Sequence, residues 1–574
     1  MTSPPDAPDP LDAKATRRGW MAALGVSLGT AFLIISPFFW RGTASGHDIA
    51  FHASSWLDVA GQWKEGIVFP RWCEWANNGF GEPRFIFYPP LSWLLGAALG
   101  FVVPWNAVPG TFIVLVQTLA GVSMFALARR FFPAGAALFA AACYTANPYA
   151  LLVVYLRSDF AEELAWAFLP AFLLAALQRS GLMENRWGSG PRSAAIFGLF
   201  FAAIWLANAP AGVLASYSMA LLFAWAAISE KSFLPLLRGA GGLALGFGLA
   251  CFYLVPAAYE QRWVNIGEAL SSGLRPVENF LFTKIADPEH NLFNWIASSV
   301  AILLKLLTWI AAALAYRNIT EAQASWEKKA LWQSLIVLGA AATLLMLRPS
   351  AILWEYLPEL RFVQFPWRWM GILALAYACF GAAAVAPRRV AWIWCVVVIL
   401  AMAGTATFLV RKAWWDSDDI PSLQEAISSG KGFDGTDEYD PAGDDHSNLP
   451  AKAPPVLLLP VEGGEARAAK AEIHIARWTA EEKDLSVTSP QPLRLAIRLL
   501  DYPAWRLEIN GQPVKPEFPE GTTQVILPLP AGTEGIKVGF GRTPDRTVGN
   551  ALSLASLAVC AAFLRKQRTR NQSQ

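Results

Sequence analysis

Twelve stretches of the chain are apolar over close to the ~20 residues that an α-helix needs to cross a bilayer. They lie at about 19–40, 109–127, 132–147, 161–177, 193–206, 211–228, 235–258, 293–315, 330–347, 368–386, 390–410 and 546–565. Few architectures accommodate such a pattern. In lipid every backbone N–H and C=O must be satisfied without water, and a helix does this within one segment. Residues 90–104 form a thirteenth, shorter candidate, bracketed by Pro89-Pro90 and Pro104. The sequence therefore predicts a mainly α, polytopic membrane protein of about 12–13 transmembrane helices. Its charged fraction of 16% is well below the ~25% of soluble domains. A net charge of +2 excludes a nucleic-acid partner, which needs a concentrated basic face. Many of the 26 tryptophans, such as Trp40, Trp105, Trp367 and Trp414, sit at segment ends, where amphipathic rings favour the membrane boundary. Five of the six cysteines lie in apolar segments and only Cys73 in a loop, so no disulfide framework is available.

Basic residues set the expected orientation, because cytoplasmic loops collect Lys and Arg. Arg17-Arg18, Arg129-Arg130, the stretch 178–192, Lys231, Arg317 with Lys328-Lys329, Arg388-Arg389 and Arg565-Lys566-Arg568-Arg570 mark that side, with Arg411 and Lys412 as mild exceptions. All fall on one side only if 90–104 does not cross, which makes that segment a re-entrant or surface helix. Both termini are then cytoplasmic, and loop 41–88 and region 411–545 are extracytoplasmic. The first apolar run lacks a small-residue cleavage site before Phe38-Phe39-Trp40 and is expected to remain as an uncleaved span. Within the second outer region, residues 415–455 are acidic and rich in Gly, Asp, Ser and Pro, which predicts an irregular but ordered loop. From about 456 the pattern turns to short strands: 456–459, 471–475, 493–500, 505–509, 523–527 and 536–540. Ile509-Asn510-Gly511-Gln512 is a hairpin signal. A small β-sandwich-like domain before the last helix is expected.

Candidate chemistry concentrates in the outer loops. Asp48 lies where the chain leaves the first span, and ionisable groups at such depths are costly and usually functional. His52 follows four residues later and shares a helical face with it. The alternative for Asp48 is an N-cap opening a surface helix. The same loop carries Phe69-Pro70-Arg71-Trp72, Gly79-Phe80-Gly81-Glu82-Pro83 and Phe87-Tyr88-Pro89-Pro90. Its Gly and Pro spacing fixes tight turns. A second outer loop offers Arg157, Asp159, Glu162 and Glu163, able to bind a sugar, a metal or one another. Hard oxygen donors of this kind suit magnesium, manganese or calcium. A third places Arg361 and Arg368 on the outer face, where arginine binds phosphate bidentately or snorkels to headgroups. Arg275, Lys284 and His290 are weaker candidates of the same kind. There is no P-loop, no dinucleotide fingerprint and no His-Glu-x-x-His motif.

These residues resemble the C-type (GT-C) integral membrane glycosyltransferases, and within them a bacterial YfhO-like subgroup, some members of which are catalogued as 6-pyruvoyl-tetrahydropterin synthase-related. The resemblance is carried by Gly46-His47-Asp48…His52, Pro70-Arg71-Trp72, Gly79-Phe80-Gly81-Glu82-Pro83, Phe87-Tyr88-Pro89-Pro90-Leu91, Arg157…Glu162, Gln364-Phe365-Pro366-Trp367-Arg368, Glu438-Tyr439…Pro441 and Tyr502-Pro503-Ala504-Trp505…Asn510-Gly511. It implies a GT-C-like transmembrane domain over 19–410 with a catalytic outer loop 41–88, after a cytoplasmic tail 1–18. An extracytoplasmic region 411–545, β-rich from about 456, and a final helix with its basic tail, 546–574, complete the expected organisation. The implied activity is transfer of a sugar from a polyprenyl-phosphate-linked donor to a glycan, lipid or protein acceptor, at the bacterial cytoplasmic membrane. Asp48 and Glu162 are the implied catalytic residues, and His52, Arg71, Tyr88, Arg157, Asp159, Glu163, Arg361 and Arg368 the implied substrate-binding ones. A divalent cation, magnesium or manganese, is the candidate cofactor, but the first loop has no Asp-x-Asp and the metal ligands stay unassigned. The pterin label implies no chemistry here, since nothing supplies the histidine-bound zinc it would need. A transporter or flippase for lipid-linked glycans, or a non-catalytic assembly protein, is the competing class.

Overall fold

The computed structural model describes residues 10–184, 190–320, 325–386, 391–461 and 471–570. The Arg388-Arg389 pair, residues 185–189 of the basic stretch and residues 1–9 lie outside them. Among the described residues ten helices are long and apolar enough to cross a membrane: Arg17–Arg41, Trp105–Ala128, Ala134–Arg157, Phe160–Ser180, Ala209–Glu230, Leu234–Trp263, Pro288–Tyr316, Pro366–Val385, Ala391–Lys412 and Pro544–Arg565. The other two expected stretches are also helical. Pro191–Ala207 is 17 residues long, and Trp326–Leu345 turns through 91° into Arg348–Tyr356. The segment after Pro89 forms a ten-residue helix, Pro90–Leu99, about 15 Å long at 1.5 Å per residue. That is half the thickness of a hydrocarbon core, so it does not cross.

Small residues let these helices approach closely, as membrane bundles require. Gly198 on Pro191–Ala207 meets Gly242 and Gly246 on Leu234–Glu260, where an added Cβ would lie 3.2 Å from the Gly246 nitrogen and 3.3 Å from the Gly242 oxygen. The connections sort to two ends. At one end Arg179 bonds the carbonyl of Arg238 and the Glu184 N–H bonds Glu327. At the other, Gln364 bonds Ala269, Asn265 bonds Asp440 and Tyr502 bonds Glu260. The loops expected outside therefore gather at one end of the bundle, together with the β region.

Among the described residues that region holds eight antiparallel strands: β1 (Val456–Pro460), β2 (Glu472–Trp478), β3 (Glu482–Ser489), β4 (Leu493–Leu500), β5 (Trp505–Ile509), β6 (Gln512–Pro513), β7 (Gln524–Leu529) and β8 (Gly532–Phe540). Two sheets form, in the orders β1-β4-β7 and β2-β3-β8-β5-β6. The β5–β6 turn pairs Ile509 with Gln512 across Asn510 and Gly511, both at positive φ (49° and 76°), as a two-residue hairpin demands. Strand β3 was not anticipated. Its inward positions are Lys483, Leu485, Val487 and Ser489, and a lysine at the first of them hides the alternation. Residues 415–455 contain one α-helix, Asp419–Ser428, two short 3-10 turns and a strap that exchanges backbone hydrogen bonds between Phe433 and Trp75 or Asn78. The sandwich interior is continuous with the first outer loop. Trp72 packs edge-on to Trp505 at 5.3 Å, and Phe87 stacks on Tyr439. Gly81, at φ 82°, passes so close to Trp72 that a side chain there would collide with the indole.

Candidate active site

The first outer loop and the link between the third and fourth spans are stitched together by backbone. The N–H groups of His47 and Asp48 donate to the carbonyls of Leu156 (3.2 Å) and Arg157 (2.8 Å), and Gly46 N–H donates to Ser158 Oγ at 3.1 Å. Gly46 is required for this approach, because a Cβ there would lie 2.6 Å from the Arg157 carbonyl carbon. The third span ends in a π-helical turn, Val153–Arg157, and Ser158 takes a left-handed conformation with φ 52°. Such wide turns re-aim side chains where a helix ends. Here the turn aims Arg157 back at the first loop.

Asp48 occupies the N-cap position of the helix Ile49–Lys64, but its side chain makes no capping bond. It reaches Arg157 Nη2 instead, at 2.5 Å. The same Nη2 is 3.5 Å from Asp159 Oδ2. Arg368 Nη2 donates to Asp159 Oδ2 at 3.2 Å, and its Nε lies 3.0 Å from Glu162 Oε2. His52 Nε2 is 3.7 Å from Asp159 Oδ1. Glu162 is held further by the Tyr149 hydroxyl and by the Trp166 indole N–H at 2.9 Å. Asp159 also caps its own helix, accepting from the Glu162 N–H at 2.9 Å. Arg157 and Arg368 both lie over the Phe365 ring, at 4.9 and 5.1 Å, and Arg157 over Trp367 at 5.5 Å.

The cluster is dry except at one point. The side chains of Arg157, Asp159, Arg368 and Glu162 are 0–7% exposed, whereas Asp48 is 28% exposed. Burial alone would raise the Asp159 carboxyl, but His52 and the Arg368 and Arg157 guanidiniums outweigh it and hold the group below the usual carboxylate range. Tyr88, with its ring 5.8 Å from His52, has its phenol pushed up by burial and then by Asp159 and Asp48. It stays protonated, a hydrogen-bond donor. Three carboxylates thus face two guanidiniums, and Asp48 alone offers an oxygen to a molecule arriving from outside.

Seven of the ten expected residues meet here: Asp48, His52, Tyr88, Arg157, Asp159, Glu162 and Arg368. Three do not. Glu163 points the other way along its helix, into a cavity of about 20 Å³ with Tyr144 and Asn147, and its Oε2 lies 3.5 Å from Gln117 Nε2. Arg361 is exposed and lies over the neighbouring Phe362 ring. Arg71 lines a different pocket, beside Glu481 and Arg546. Tyr149, Trp166 and Phe365 belong to the site and were not expected. Phe365 lies within the quoted Gln364–Arg368 motif, whereas Tyr149 and Trp166 carry no sequence signal. Among the described residues no three His, Cys, Asp or Glu side chains converge as metal ligands. The acids of the cluster are paired with arginine rather than with each other, and this donor set does not fit magnesium or manganese.

No family model matches the sequence, and no curated protein matches it. Solved structures similar to it include the arabinofuranosyltransferase AftD from mycobacteria, at 18% identity and a TM-score of 0.42, covering 68% of this chain and 28% of that one. The archaeal oligosaccharyltransferase AglB from Archaeoglobus fulgidus, in complex with an inhibitory peptide and a dolichol-phosphate, aligns at 13% identity and a TM-score of 0.39 over 73% of this chain and 56% of that one. A second structure of the A. fulgidus oligosaccharyltransferase, tethered to an acceptor peptide, gives 13% and 0.39 over 70% and 55%. The chain thus spans between about a quarter and just over half of the length of these proteins.

Proposed function

We propose that this protein is a GT-C-type membrane glycosyltransferase of the YfhO-like kind, moving a sugar from a polyprenyl-phosphate donor to an extracytoplasmic acceptor at the bacterial cytoplasmic membrane. The observation that carries the reading is the charged cluster at the ends of four spans, sealed except for Asp48. A dry array of fixed charges costs no reorganisation when charge develops during reaction. In this reading one Asp48 oxygen stays on Arg157 while the other accepts a hydrogen bond from the acceptor hydroxyl. As that oxygen attacks the anomeric carbon, Asp48 takes the hydroxyl proton and the lipid phosphate leaves. Such general-base help is worth about 10²–10⁴-fold.

In this reading some roles differ from those the resemblance implies. Arg368 is committed to Asp159 and Glu162, so it acts as a positioning residue rather than a phosphate ligand. Glu162 is held by Tyr149, Trp166 and Arg368 and orients Arg368 rather than touching substrate. Tyr88, half-buried beside His52, is the residue proposed to hold a sugar hydroxyl, while His52, buried against Asp159, braces that carboxylate. The β region covers the first loop and borders the acceptor's approach. The N- and C-termini are assigned to the cytoplasm on the charge pattern.

The test is the glycolipid and surface-glycan profile, by mass spectrometry, of a deletion strain carrying wild type or Asp48→Asn at equal membrane abundance. The reading requires wild type alone to restore a missing glycan. Restoration by both makes Asp48 structural and advances the transporter or assembly class.

A further inference from the structure

A second polar site lies where the first outer loop, the β region and the last span meet, with no lining residue in common with the Asp48 cluster. It is a pocket of about 420 Å³ whose polar lining is Arg71, Glu481, Arg542, Arg546 and Asn550. The three arginines differ in what they already hold. Arg546 is spent: its Nε and Nη2 grip both oxygens of Glu260 at 2.7 and 2.8 Å, and Tyr502 donates to the same carboxylate at 2.6 Å. Among the described residues, neither Arg71 nor Arg542 has a hydrogen bond or ion pair to its guanidinium. Arg71 is braced over the Phe69 ring at 4.7 Å, and its backbone N–H, not its side chain, bonds Glu481 Oε1 at 3.1 Å. Burial, and then the nearby Arg546, push the Arg71 guanidinium down to about 10, with Glu260 and Glu481 acting against them. Asp545 lies beside Glu260, and Glu481 lines the pocket, yet among the described residues neither Arg71 nor Arg542 pairs directly with any of these carboxylates.

The remaining walls are apolar. Phe69, Phe252 and Phe540 line the interior, and the flanking side chains Val68 and Val548 are 81% and 52% exposed. Arg542 and Arg546 stand at the head of the last span, Pro544–Arg565, and Phe252 lies on the span Leu234–Trp263. A cationic mouth above aromatic walls at the end of two spans suits an anion tethered to a hydrocarbon tail. Arginine pairs with phosphate oxygens through strong charge-assisted bonds.

We propose that this pocket binds the phosphate headgroup of an anionic membrane lipid, held by Arg71 and Arg542 with Asn550 as a further donor. The inference stands apart from the glycosyl-transfer reading. Lipid bound here clamps the β region and the first loop to the last span, since Arg71, Phe540 and Asn550 come from these three elements.

The test is native mass spectrometry of the full-length protein in detergent, titrated with dioleoyl phosphatidate, dioleoyl phosphatidylcholine or inorganic phosphate. Wild type should bind one phosphatidate saturably and more tightly than either other probe. Arg71→Gln/Arg542→Gln should lose about ten-fold or more in affinity, the worth of one charge-assisted contact. Arg542→Glu alone, at an exposed position that cannot unfold the protein by losing a partner, should do the same. Asp48→Asn should bind like wild type, which separates failure here from failure of the catalytic reading. Unchanged affinity in Arg542→Glu overturns the proposal, as does phosphatidylcholine binding as tightly as phosphatidate. Inorganic phosphate binding as tightly as phosphatidate overturns the lipid assignment in favour of a soluble phosphate.

Discussion

Replacing Arg368 by methionine tests whether the cluster is a single charged unit. The side chain is 5% exposed and sits between Asp159 Oδ2 at 3.2 Å and Glu162 Oε2 at 3.0 Å. Methionine keeps much of the volume and removes the charge, leaving two buried carboxylates short of a partner. Breaking a buried pair from one side costs about 3–5 kcal/mol. The lower end applies, because Asp159 keeps Arg157 at 3.5 Å and Glu162 keeps Tyr149 and Trp166. Unfolding in mixed micelles at rising SDS fraction, followed by Trp fluorescence, measures the loss. Arg361→Met is the internal control, since that exposed residue should change stability by no more than about 0.5 kcal/mol. Adding Glu162→Gln to Arg368→Met should recover about 1 kcal/mol or more, since it removes the stranded charge. Equal losses for Arg368→Met and Arg361→Met, or no recovery in the double variant, would refute the reasoning.

Two further outcomes follow from local geometry. Gly46→Ala should cost about 1–3 kcal/mol through overpacking against the Arg157–Ser158 backbone and should lower activity by displacing Asp48. Gly61→Ala, where a Cβ meets nothing within 4 Å, should gain about 0.5–1 kcal/mol in the same unfolding assay. Asp58, in the extramembrane helix Ile49–Lys64, has its carboxyl raised from 3.8 to about 6 by burial, against partial relief from Trp75 N–H, Gln62 and Cys73. A raised folded pKa means that its contribution is fully present below about pH 4 and is lost as pH rises through about 6. The difference in stability between wild type and Asp58→Asn should therefore shift by about 3 kcal/mol across that window. A difference that is flat in pH contradicts the burial assigned to Asp58.

The helical bundle was legible because its apolar stretches are long. Most strands were legible from alternation, and the Asn510-Gly511 turn from its residue types. The failures were of kinds that local pattern cannot resolve. Glu162 and Glu163 are neighbours on a helix, about 100° apart around its axis, so only one can face Asp159, and the sequence does not say which. Arg361 and Arg368 are seven residues apart and would share a face on an unbroken helix. Gln364, at positive φ (64°), and Pro366 break the chain between them, so one arginine enters the cluster and the other faces solvent. Arg71 was grouped with the catalytic loop by proximity in sequence. Its actual neighbours, Glu481 and Arg546, lie more than 400 residues further along and come within reach only when the β region docks. Asp48 stands at the helix N-cap position that its sequence context allows. Its side chain is drawn instead to Arg157, which the π-helical turn delivers from 109 residues further along.

The most direct measurement is turnover by the purified protein of a panel of polyprenyl-phosphate pentoses and hexoses in the presence of envelope glycolipids, scored as release of polyprenyl phosphate. Wild type should turn over at least one donor. Asp48→Asn, in which Arg157 still has Asp159 to hold it, should bind that donor within a few-fold of wild type and lose about 10²–10⁴ in kcat. Equal turnover by the two proteins, or none by wild type across the panel, contradicts the account.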